Sequence, residues 1–303
     1  MIISGINLNG YSGGSSGSSK YVVPNGTKFG YSKFIDFDNL DFSQVTDASD
    51  MFKYYYGTEL DLSTFNSSQL TSINGMFANS KGITHYAIED WNVSSVEDIG
   101  SLFQNCTQIT DLDLSKWRPY NLTSFKDIIR GCTNLKTLNL SGWKFPKITE
   151  LTYLNYSYFS PTSIKTLESI DVSGWETSQV TKVYNLFNFV YFNGLKTVNI
   201  SGWNLSNAED IDYLFGPLSN NDKCNFENII MDGVTLPKRD MTINGLVIAA
   251  TKGTLTVESL VSALNALPQL DDGESFTFTL GNGLDRLSDE QKNIATNKGW
   301  KLN

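Results

Sequence analysis

Leu112-Asp-Leu-Ser-Lys-Trp117 and Leu138-Asn-Leu-Ser-Gly-Trp143 are two copies of one phrase, set 26 residues apart. The phrase recurs in both directions. Upstream lie Leu60-Asp-Leu-Ser-Thr-Phe65 and Tyr86-Ala-Ile-Glu-Asp-Trp91, and downstream Ile170-Asp-Val-Ser-Gly-Trp175 and Val198-Asn-Ile-Ser-Gly-Trp203. Successive starts are 26, 26, 26, 32 and 28 residues apart. Degenerate copies at Ile35-Asp-Phe-Asp-Asn-Leu40 and Ile229-Ile-Met-Asp-Gly-Val234 bring the number of units to about eight. Self-similarity at this period implies stacked units, none of which can bury its apolar side alone.

Each copy alternates apolar and polar residues ahead of its aromatic anchor, the period-two pattern of a short strand with one buried face. After the anchor the period changes. Apolar residues then fall five, eight and eleven positions on: Leu70, Ile73 and Met76; Val96, Ile99 and Leu102; Leu122, Phe125 and Ile128; Val180, Val183 and Leu186. A spacing of three predicts a helical or 3₁₀ return that keeps one stripe inward. One unit is therefore a short strand, a Trp/Phe corner and a helical return. With strands ~4.8 Å apart, about eight such coils predict a body on the order of 35–40 Å long. The tryptophans at positions 91, 117, 143, 175 and 203 are expected to pack the corners.

The motif Leu-Asp-Leu-Ser-Gly-Trp followed by Val-Thr-x-Met-x-x-Met-Phe resembles the BspA-like leucine-rich repeats of bacterial surface proteins. Its closest copies occupy residues 60–77, 170–187 and 198–215, and the resemblance extends over roughly residues 31–235. It implies an α+β fold: a leucine-rich-repeat-type solenoid of about eight 25–32-residue coils, with a small α/β cap after it. It also implies adhesion or surface recognition, with no shared catalytic residue. The regular pattern is interrupted at 152–166 and 188–194 by insertions rich in Tyr and Phe.

Both ends differ from the middle. Residues 1–30 read as a docking arm, in which Ile2, Ile3, Ile6 and Leu8 form a small apolar peg ahead of the flexible run Gly13-Gly-Ser-Ser-Gly-Ser-Ser19. Residues 31–239 are the expected solenoid and 240–303 a capping region. In the latter, Thr256 caps a helix from Val257 to Leu267, Phe276 to Leu280 alternates as a strand, and Ser288-Asp-Glu-Gln291 opens a last helix ending at Gly299. The segment from Asn282 to Trp300 resembles C-terminal segments found beside such repeats in proteins of gut bacteria and their phages.

The net charge of −9, without a Lys/Arg run, argues against nucleic acid as a partner. No apolar run approaches the ~20 residues of a membrane helix, and the chain opens without a secretory signal pattern, which predicts synthesis without an export address. Catalytic motifs are scarce. A single histidine, His85, excludes sites needing two, and no phosphate-binding or dinucleotide fingerprint occurs. No metal or other cofactor is expected. Cys106 and Cys132 share one repeat phase and are expected as a reduced, stacked pair, with Cys224 the third thiol. Asp61 and Asp113 also share a phase, predicted ~10 Å apart, the one arrangement compatible with a glycoside hydrolase.

Three aromatic stretches follow the end of a return segment: Tyr54, Tyr55 and Tyr56; Tyr156, Tyr158 and Phe159; Tyr191 and Phe192. They predict an exposed aromatic edge that contacts a partner. The sequence therefore points to a non-enzymatic recognition or assembly protein. Expected partners are other virion or surface proteins, or a host surface protein or glycan, in an oligomer or larger assembly without membrane insertion. A phage virion component is the first expectation and a bacterial cell-surface adhesin the alternative.

Overall fold

The computed structural model describes residues 20–303 apart from 34, 36, 38, 39, 63, 64, 153, 155–163, 189–191, 216–224, 244–246, 248, 250 and 251. It is a mixed α/β structure whose strands are short and pair in parallel. Strand β1 (Tyr21–Val22) pairs with β2 (Leu40–Asp41). Five three-residue strands, β3 (Asp111–Asp113), β4 (Thr137–Asn139), β6 (Ser169–Asp171), β8 (Thr197–Asn199) and β9 (Asn228–Ile230), form one sheet in that order. The pairing puts each repeat beside the next, Leu112 against Leu138, Ile170, Val198 and Ile229 in turn. These central residues are buried and their strand neighbours are half-buried or exposed, so period-two alternation becomes an inner and an outer face.

The Trp corners lock this register. Trp117, Trp143, Trp175 and Trp203 are fully buried, and each indole N–H donates to a carbonyl of the preceding repeat: Ile88, Leu114, Leu140 and Val172, at 2.9, 2.8, 2.6 and 2.7 Å. The acceptor always lies three residues before the preceding Trp. Neighbouring rings from Trp117 to Trp203 stack with centroids 6.1, 6.1 and 5.5 Å apart and planes within 14°. A buried indole needs a partner for its N–H, and the phrase supplies one at a fixed offset. Gly142, Gly174 and Gly202, just before the Trp, adopt φ of 72°, 67° and 78°, which explains the Ser-Gly-Trp spelling.

The expected helical return is corrected by the structure: among the described residues of 31–239 there is no α-helix. Instead, alternate N–H groups do two jobs. Those of Met76, Ala78 and Ser80 close tight turns onto Ile73, Gly75 and Phe77. Those of Gly75, Phe77 and Asn79 reach the next repeat, at Gly100, Leu102 and Gln104. The following repeat does the same from Ser101, Phe103 and Asn105 to Lys126, Ile128 and Arg130. A train of turns places an apolar residue inward every three positions, as a 3₁₀ helix would, while freeing donors to tie repeats together. On this side β5 (Glu150–Thr152) pairs with β7 (Lys182–Tyr184). Single bridges link Asp47, Ser72, Asp98 and Ser124.

One boundary also changes. Val23 and Phe29 are buried, and Phe29 and Tyr31 bond through their N–H groups to Met51 and Tyr54, so residues 21–30 belong to the stack rather than to an arm. The residues expected as its peg, Ile2, Ile3, Ile6 and Leu8, lie outside the described residues. Repeat-to-repeat bonds run on past β9 to Thr235, which accepts from Leu205 N, and there the pattern stops. Helix α1 (Val257–Asn265) is capped by Thr256 and lies against the sheet edge, where Ser259 and Ser262 accept from Ile229 N and Met231 N at 3.0 Å each. Strands β10 (Thr277–Phe278) and β11 (Lys301–Leu302) pair in parallel. Helix α2 (Asp289–Thr296) starts with the capping box at Ser288 and Gln291.

Candidate functional site

Polar side chains on the outer sheet face serve the backbone. Asp113, Asn139, Asp171 and Asn199 each accept from the N–H two residues on, at Ser115, Ser141, Ser173 and Ser201, and so hold the turn toward the corner. They also bond along the row, as Asn199 donates to Asp171 at 3.3 Å. Partial burial alone would raise the Asp113 pKa. Hydrogen bonds from Ser115 and Asn139 outweigh it and hold the carboxyl below its usual value. Asp111 is lowered by hydrogen bonds from Thr137 and Thr110. A general acid must instead keep its proton near neutral pH, so Asp113 of the Asp61/Asp113 pair is tuned the wrong way for that role. Asp61 has interactions of its own.

Among the described residues no cluster of three His, Cys, Asp or Glu could hold a metal ion, and no helix is long and apolar enough to cross a membrane. His85 is largely exposed, 3.4 Å from Glu89. Cys106 and Cys132 are free thiols inside the core, each donating to a carbonyl, of Phe77 and Phe103, at 3.0 Å. Burial pushes Cys106 up to about 12 against the lowering effect of its bond with Tyr86, and burial likewise raises Cys132 well above its usual value. Neither thiol is poised to be a nucleophile. Cys224 lies outside the described residues.

The aromatic edge is partly redrawn. Tyr54 and Tyr56 are 37% and 54% exposed, but Tyr55 is buried, its hydroxyl donating to the carbonyls of Lys33 and Glu59. Phe192 is buried too. The two share a cause. Ser80, Cys106 and Cys132 point inward three residues ahead of Ile83, Ile109 and Leu135, and Phe192 stands in the same relation to Leu195. Tyr55 directly follows Tyr54, as Ser80 follows Asn79, and occupies this phase as well. Tyr156, Tyr158, Phe159 and Tyr191 lie outside the described residues.

Sequence reasoning misses a third member of the cluster around Tyr54 and Tyr56. Tyr31, 52% exposed, stacks on Tyr54 at 5.2 Å with planes 9° apart and meets Tyr56 edge-on at 5.8 Å and 61°. Lys53 Nζ sits 6.0 Å from the Tyr54 ring centre and 3.1 Å from Asp50. The signal for Tyr31 is positional: it precedes Tyr54 by 23 residues, near one repeat length. A second exposed pair, Tyr184 and Tyr213, has ring centres 5.4 Å apart.

No curated protein matches the chain. Among solved structures, the functional domain of InlJ from Listeria monocytogenes, described as including a cysteine ladder, aligns at 12% identity over 84% of this chain and 67% of its own, with a TM-score of 0.18. A likeness that slight carries no argument. The profile of one family matches residues 26–143 and again 123–228, more than half of the chain. Together the two matched stretches span the repeats that carry the Trp ladder, and the chain belongs to that family, described as Mycoplasma protein of unknown function, DUF285.

Proposed function

We propose that the chain is a non-catalytic recognition protein: a leucine-rich-repeat-type solenoid of about eight coils, closed at its C-terminal end by residues 240–303 and used as a binding surface. The observation that carries this reading is a division of labour among side chains. Asp, Asn and Ser along the ladders are occupied by backbone groups, as at Asp113 and Asn139, whereas Tyr31, Tyr54 and Tyr56 stay exposed in a cluster. Exposed tyrosines give contact area at low side-chain entropy, which suits recognition. The finer setting is a virion component facing a host surface, a reading supported by the Gly/Ser stretch before residue 20 and by the resemblance of the last segment to phage-associated proteins.

Fluorescently labelled chain should bind intact cells saturably, and Tyr54→Ala/Tyr56→Ala should weaken that binding while leaving thermal unfolding nearly unchanged. Hydrolysis of a glycan by the chain, lost on Asp113→Asn, would defeat the reading. Deleting residues 1–19 should abolish incorporation into particles; normal incorporation would remove the virion setting.

A further inference from the structure

The tyrosine cluster at the N-terminal end departs from the backbone rule that governs the rest of its edge. Three successive repeats place a residue of the return in the left-handed region at the same phase: Asn79 at φ 63°, Asn105 at 59° and Gly131 at 76°. Asn and Gly are the residues that visit this region readily. Asn105 also donates to Asn79 at 3.0 Å, so the amides form their own ladder. At the two positions preceding these stand Tyr31 at 66° and Tyr54 at 62°. A bulky residue held there costs on the order of 1–2 kcal/mol, which Asn or Gly would avoid. Burial recovers only part of that cost, since Tyr31 and Tyr54 stay 52% and 37% exposed.

We propose that Tyr31, Tyr54 and Tyr56 form a binding site for a neutral pyranose saccharide. This deepens the recognition reading above and rests on it. The stacked pair Tyr31 and Tyr54 makes one wall and Tyr56, inclined by 61°, the other. The C–H faces of a sugar ring pack on such walls, and its hydroxyls need a polar rim, which the three phenols, Lys53 and Asp50 supply. Asp50 is paired with both Lys53 at 3.1 Å and Lys28 at 3.8 Å, so the lysines at the rim share a carboxylate rather than standing free for an anionic sugar. Size separates a saccharide from a protein partner. At about 200 Å² per tyrosine, the exposed fractions amount to roughly 300 Å² in all, well below the ~800 Å² each side contributes to a specific protein interface.

The test is a printed array of neutral oligosaccharides ending in N-acetylglucosamine, galactose or mannose, probed with the full chain and followed by calorimetry with the free sugar that is retained. Tyr54→Ala and Tyr56→Ala should each weaken binding at least about tenfold, Tyr54→Phe much less, and Tyr184→Ala/Tyr213→Ala not at all. Thermal unfolding of each variant guards against a folding artefact. No retained sugar, or equal binding by the Tyr31→Ala/Tyr54→Ala/Tyr56→Ala variant, overturns the site. Loss of sugar binding in the Tyr184/Tyr213 variant alone overturns it as well. Periodate oxidation of cell glycans separates the two readings. Cell binding that survives periodate but not removal of the tyrosines leaves recognition standing and removes the saccharide. Absence of any cell binding removes the recognition reading itself.

Discussion

The two long sides of the repeat stack obey different rules. On the corner side, from Trp117 to Trp203, one residue type repeats, each ring parallel to its neighbour and each N–H bonded at the same offset. On the return side the left-handed position carries Tyr, Tyr, Asn, Asn and Gly at residues 31, 54, 79, 105 and 131. The difference lies in what a substitution does. A corner ring is enclosed by two neighbours and leaves a cavity if trimmed, whereas a return-edge side chain borders solvent and can vary while the backbone bonds beneath it persist. Uniformity marks the side that holds the fold, and variation marks the side free to acquire contacts.

The sharpest way to break this contrast is Trp143→Ala. It should cost on the order of 3–5 kcal/mol, from the cavity and from stranding the Leu114 carbonyl, measured by denaturant unfolding. A cost under ~1 kcal/mol would make the corner as permissive as the edge. A smaller effect is expected at Gly174→Ala. There φ is 67° and the new Cβ would stand 3.6 Å from Gly142 Cα, an ordinary contact, so the cost is the left-handed backbone alone, about 1–2 kcal/mol. A neutral result would show that the Ser-Gly-Trp spelling has another cause. The smallest change should come from Tyr54→Asn, where relief of backbone strain offsets the lost stack on Tyr31, for a net within about 1 kcal/mol of zero. Destabilisation as large as at Trp143 would place Tyr54 among the structural residues.

The short strands, the Trp corners and the start of both C-terminal helices are readable because each depends on a local pattern: alternation, a buried ring, a capping residue. The return is open to misreading because a period of three belongs equally to a 3₁₀ helix and to a train of turns. The distinguishing sign is present in Asp50, Gly75, Asn79, Ser101, Asn105, Asp127 and Gly131, residues poor in helices, six of which tolerate positive φ well. Among the expected contact residues Tyr54 and Tyr56 are exposed and Tyr55 and Phe192 are not. A tyrosine triplet cannot all face one way, and the phase of Cys106 and Cys132, residues that favour burial, singles out the inward member. Tyr31 escapes notice because its repeat lacks the Trp phrase by which the others are aligned.

The Trp hydrogen bond reaches back to the repeat before, at a fixed offset, and the return-edge bonds from Gly75, Phe77 and Asn79 and from their counterparts Ser101, Phe103 and Asn105 reach forward to the repeat after. Each of these repeats therefore meets its neighbours through one standard pair of joints. A whole 26-residue unit duplicated within the run from Ile88 to Trp143 would find the partners its parent had, so a gene for this chain can lengthen or shorten by in-frame units without relearning how to fold. Units of 32 and 28 residues keep the same corner joint, since Trp175 and Trp203 still reach Leu140 and Val172. Reach, and with it the distance at which the tyrosine end is presented, is then a quantity that descent can adjust one unit at a time.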